Sequence, residues 1–153
     1  MLTSPGNCKV ASVWAPQTVS NNATVTGRVD TLGYNYCIIN VHRDTAAAVS
    51  SVPNELKISH ADLTTVSSTA SIVALTGGAA TTTAVGFVIP AADTANADVF
   101  SFKIDLRGKK RYLFAHFSPL DASTFNSCSA LLFSGEVTPD TAAEDGSPVR
   151  TVG

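Results

Sequence analysis

The chain has 153 residues, of which 44% are hydrophobic and only 14% charged, with a formal net charge of −2. That length supports one domain with a sizeable core, so neither a disulfide nor a metal is required to hold it together. The slight negative charge argues against non-specific nucleic-acid binding, and no apolar run approaches the ~20 residues of a membrane-spanning helix.

A typical soluble domain carries about 25% charged residues. Here Thr, Ser, Ala and Asn fill the deficit. A surface so poor in charge is expected to be covered by copies of the chain or by another protein. The three cysteines, Cys8, Cys37 and Cys128, have no metal-ligand spacing and are an odd number, a poor disulfide framework. Cys37 sits in an apolar run and reads as a small buried hydrophobe. The first residues hold no charged-then-apolar signal segment, so synthesis and folding in a cytosol are expected. Asn22-Ala23-Thr24 matches a glycosylation acceptor by chance.

Residues 1–7 read as an N-terminal arm with a Pro5-Gly6 turn. Residues 9–14 predict a short strand that Pro16 interrupts, which fits an edge position. Trp14, the single tryptophan, reads as a core or interface anchor. Residues 17–30 predict two short strands, with a turn at Asn21-Asn22 and a bulge at Gly27. The run 34–41 alternates strongly: Cys37, Ile39 and Val41 share one face, Tyr34, Tyr36 and Ile38 the other. It is apolar on both faces and so reads as a strand covered on both sides.

Residues 43–54 predict a loop, with at most one helical turn at Ala46–Ala48. Strands are expected at 56–60, 71–75 and 85–89, the last stopped by Pro90. The stretch 99–119 reads as a hairpin at the centre of the core. Phe100, Phe102, Ile104 and Leu106 alternate with polar positions on its first arm; its second arm is apolar on both faces. Gly108 supplies the positive φ that a short turn needs. A last strand is expected at 128–137. Residues 138–153 have the composition of a tail. The chain therefore divides into an arm (1–7), a sandwich domain (8–137) and a tail (138–153). Eight or so short strands with regular turn signals and no useful helix predict an all-β fold, a single antiparallel β-sandwich of jelly-roll type.

Chemistry-bearing residues are sparse. His42, His60 and His116 lie in or near strands with no spacing that proposes a third metal ligand, so no metal or other cofactor is expected. His42 and His116 would approach one another if their strands paired. No G-x-S-x-G elbow and no phosphate loop occur, and the acids lie in turns and in the tail. No enzymatic activity is expected. The basic cluster Arg107, Lys109, Lys110 and Arg111 places four of the ten Lys and Arg within five residues. It reads either as a solvated turn that guards a sheet edge or as a contact for an acidic protein surface.

Two stretches together, GRVDTLGYNYCIINV (27–41) and KIDLRGKKRYLFAHF (103–117), resemble a recurring pattern in small structural proteins of tailed bacteriophages. The matching positions are Asp30, Gly33 and Tyr34, then Lys110, Arg111, Tyr112 and Leu113. LKISHAD (56–62) resembles the middle strand and turn of the same pattern. The resemblance implies a virion protein: a head decoration or cement subunit on the outer capsid surface, made in the host cytoplasm, β-rich and often trimeric. Its expected partners are the major capsid protein and copies of itself, without direct contact to nucleic acid or membrane. It implies no catalytic residues. Arg107, Lys109, Lys110, Arg111, Trp14 and the two termini are the expected contact elements. The alternative is a carbohydrate- or receptor-binding β-sandwich of a tail or fibre, with Trp14, Tyr34 and Tyr36 as its aromatic surface. A third reading, a jelly-roll hydrolase, requires a clefted His or acid cluster.

Overall fold

A computed structural model describes residues 8–44, 52–78, 86–90, 97–120 and 122–133. Among these described residues nine strands form two sheets. They are β1 (Cys8–Val19), β2 (Val25–Asp30), β3 (Tyr36–Arg43), β4 (Glu55–Ala61), β5 (Ala70–Gly78), β6 (Phe87–Val88), β7 (Asp98–Asp105), β8 (Tyr112–Ser118) and β9 (Thr124–Phe133). The only helical element among the described residues is a 3-10 turn, Val66–Ser68. The first sheet has the order β1-β9-β3-β7 and the second β2-β8-β4-β5-β6. All pairings are antiparallel except β5 with β6. The chain crosses from sheet to sheet between most consecutive strands, which gives the strand order of a jelly roll, the expected fold class.

Alternation explains the core. Cys37, Ile39 and Val41 of β3, Phe102 and Ile104 of β7, and Cys128, Ala130 and Leu132 of β9 point inward from the first sheet. Leu56 and Ile58 of β4 and Leu113, Ala115 and Phe117 of β8 meet them from the second. Each Val, Leu, Ile or Phe among them contributes about 1.5–3 kcal/mol when it leaves water. Cys37 is fully buried, and burial pushes its thiol up to about 12. It is a packing residue, as expected.

Several elements differ from expectation. The stretch 99–119 is not a hairpin: β7 pairs with β3 at the edge of the first sheet, whereas β8 lies between β2 and β4 in the second. Both arms bury one face in the same core, so the connection 106–111 spans the gap between sheets. β1 does not stop at Pro16. It runs on to Val19 as an edge strand, with register shifts either side of Trp14 that accommodate the proline. The second strand expected before Asp30 is thus the end of β1. Gly27 makes no bulge; β2 stays in register with β8. A β-carbon at Gly27 would sit 2.2 Å from the Val13 carbonyl oxygen, so glycine there lets β1 and β2 close one side of the sandwich. β9 begins four residues earlier than expected, at Thr124. β3 is covered on its inner side only: Tyr36 and His42 are exposed on the outer face, and Ile38 and Asn40 half-buried. The arm, the tail and the Ala46–Ala48 turn lie outside the described residues.

Candidate docking surface

The connections after β2 (31–35), β4 (62–69) and β7 (106–111) meet at one end of the sandwich, where Asp30 and Ala61 flank Tyr112 in register. They are tied together. The Thr31 amide and hydroxyl both donate to the Arg111 carbonyl, at 3.0 and 2.6 Å. The Leu106 amide donates to the Asn35 carbonyl at 2.9 Å. The Arg28 guanidinium donates to the Thr64 carbonyl at 2.9 Å. The Lys110 amide donates to His60 Nδ1 at 3.3 Å, a bond that requires the neutral ring. Gly108 has φ +74°, as its place in the turn demands.

The basic cluster occupies this end, and three of its four cations hold carboxylates of the same chain. Arg107 forks onto Asp105, Arg111 forks onto Asp30, and Lys110 reaches Asp62 at 3.1 Å. The guanidinium of Arg107 pulls the Asp105 carboxyl down to about 2. Arg111 likewise holds Asp30 below the usual carboxylate range, and its own guanidinium lies 5.0 Å from the Tyr112 ring centroid. Lys109 alone of the four has no carboxylate partner among the described residues. The cluster expected to be a cationic patch is therefore close to neutral, and its charges fasten loops. Between these ion pairs the same connections expose apolar side chains: Leu32 at 66%, Leu63 at 61% and Val66 at 48%. Each of the three stands in a polar loop, where no periodicity in the sequence marks it.

The other expected contact residue is elsewhere. Trp14 is 7% exposed, its ring is part of the core, and its Nε1 donates to Asn126 Oδ1 at 2.7 Å. It is an internal anchor and offers no surface. Tyr34 packs against the core, and Tyr36 stacks on Phe133 with ring centroids 5.7 Å apart. Trp14, Tyr34 and Tyr36 therefore make no shared aromatic platform.

His42 and His116 lie in different sheets and do not meet. His116 instead sits 5% exposed between β2 and β4, with Nε2 2.7 Å from Ser59 Oγ and Nδ1 3.1 Å from Thr26 Oγ1. Ser59 is wholly buried and no carboxylate orients the ring, so this pair lacks the access and the acid of a nucleophilic triad. It clamps three strands. Among the described residues no three His, Cys, Asp or Glu gather as a metal would need, and no helix is long and apolar enough to cross a membrane. Arg43, expected in a loop, is the last residue of β3. It continues the inward series of Cys37, Ile39 and Val41, is 3% exposed, and pairs with Asp98 beneath the Phe100 ring. The unbroken alternation was the signal for it.

Compared with protein-family models, the sequence matches none. A search of curated proteins likewise returns no match.

Proposed function

We propose that this chain is a non-enzymatic virion structural protein, a capsid cement or decoration subunit that binds the outside of a phage head. One observation carries the reading. Three connections from separate strands are laced by ion pairs and backbone hydrogen bonds into one end that presents Leu32, Leu63 and Val66 to solvent. Apolar anchors within a satisfied polar surround are the anatomy of a protein-binding surface. Holding them in place beforehand reduces the ordering cost of docking. The jelly-roll strand order and the resemblance of 27–41 and 103–117 to phage structural proteins agree with it. The partners are the major capsid protein, met through this end, and further copies of the chain.

The test is binding to shells of the virus that encodes the chain, prepared without it. The wild-type protein is expected to saturate at a fixed number of copies per shell. Leu63→Glu combined with Leu32→Glu is expected to lower occupancy at least about tenfold, since each buries a charge without a partner. Both sites are exposed, so the subunit keeps its fold. No saturable binding, or equal binding by the folded variant, would overturn the assignment.

A further inference from the structure

The two sheets treat their outer faces differently. In the second sheet the outward residues of β8 are covered: Phe114 is 1%, His116 5% and Ser118 1% exposed. In the first sheet the outward residues of β1, β9 and β3 are left open, and none of them is Lys, Arg, Asp or Glu. At the end where Cys8 enters and Phe133 leaves, the register sets two apolar rows side by side. One joins Val10, Leu131 and Ile38, and the next joins Phe133 and Tyr36. A groove of about 290 Å³ opens here between Tyr36, Ile38 and Phe133, with Lys103 and Asp105 of β7 on its far wall. An antiparallel sheet that faces water carries polar and charged side chains there. On this face β1, β9 and β3 offer only uncharged side chains, apolar at this end, and Val10 on its edge is 51% exposed.

We infer that this outer face is where a second copy of the same chain packs. Charge decides between occupants. A partner with an acidic or basic contact surface would bury its charges against three strands that have none to pair with them. A copy of this chain brings the same three uncharged strands. The rim charges alternate in sign along β7, Lys103 then Asp105, so no run of like charge meets its own image. The inference takes from the proposed function only that copies associate, and it stands whether or not the assembly binds a shell.

Sedimentation of the purified full chain tests it without any shell present. The wild type is expected to run as a small multiple of the 15.8 kDa chain. Ile38→Glu and Val10→Arg are each expected to weaken association at least tenfold, whereas Val73→Arg, on the second sheet, leaves it unchanged. Cooperative melting reports whether each variant folds. Should Ile38→Glu fail to fold, Val10→Arg decides, because its side chain already stands half in water. A wild type that remains a single chain at about 100 µM, well above a micromolar dissociation constant, overturns the inference. So does unchanged association of folded Val10→Arg. A single chain whose outer face becomes protected only on shells would assign that face to the capsid protein instead.

Discussion

His116 links three strands through hydroxyls on both sides, and its protonation bears on stability. Burial holds its pKa below the ordinary imidazole value, Lys57 adds to the effect and Glu55 opposes it. His60 is shifted the same way by burial and by Lys110 and Lys109, against Asp62. In the unfolded chain both rings take up a proton near ~6.5, whereas the folded chain resists until a lower pH. Over that interval the unfolded state binds more protons. The stability due to neutral rings is therefore complete above the unfolded pKa and is lost as pH falls toward the folded one. The urea midpoint is expected to hold level from about pH 8 to 7 and then to decline as pH falls below about 6.5. His116→Gln should show a shallower decline. A midpoint that rises on acidification from neutrality would contradict the neutral assignment. The carboxylates of Asp30 and Asp105, both lowered, add to the loss only at more acid pH.

The strands themselves were largely legible in the sequence. Alternation placed β3, β4, β7 and β8 and marked the inward face of β7, because period-two burial is written residue by residue, whereas the cover expected on both sides of β3 is present on its inner side only. Partners were not legible. The pattern of 99–119 is the same whether its arms pair with each other or face each other across a core, since both arrangements bury one side of each arm. What separates them is the connection. A two-residue turn holds its flanking Cα atoms less than about 7 Å apart, whereas stacked sheets stand about 10 Å apart. Replacing residues 106–111 by a two-residue Asn-Gly turn is therefore expected to abolish cooperative unfolding. That would remove most of the roughly 5–15 kcal/mol that holds a domain of this kind together. Retained or raised stability, measured by denaturant melts, would mean that β7 and β8 pair after all. The docking end was legible only in part. The sequence marked Arg107, Lys110 and Arg111 as clustered charge, but Asp30 and Asp62 are brought to Arg111 and Lys110 by strands far off in the chain. Trp14 was legible as an anchor, not as to whether it anchors the inside or an interface.

For the whole molecule, scarcity of charge is the feature that joins sequence to structure. Cations that look free in the sequence are mostly neutralised within the chain, and on the outer face of one sheet three of the four strands carry no charge. On the proposed reading, a subunit built this way attaches by area and fit. Its effect on a shell follows from linkage: whatever binds the assembled state in preference to the loose one stabilises it, by about 2.7 kcal/mol at a free concentration of 100 times the dissociation constant. Calorimetric melting of shells from the encoding virus, with and without the chain, measures this most directly. The shell transition is expected to move upward as the chain is added and to level off when its sites are full. A transition that stays in place while the chain is demonstrably bound, or a chain that never binds, would contradict the account.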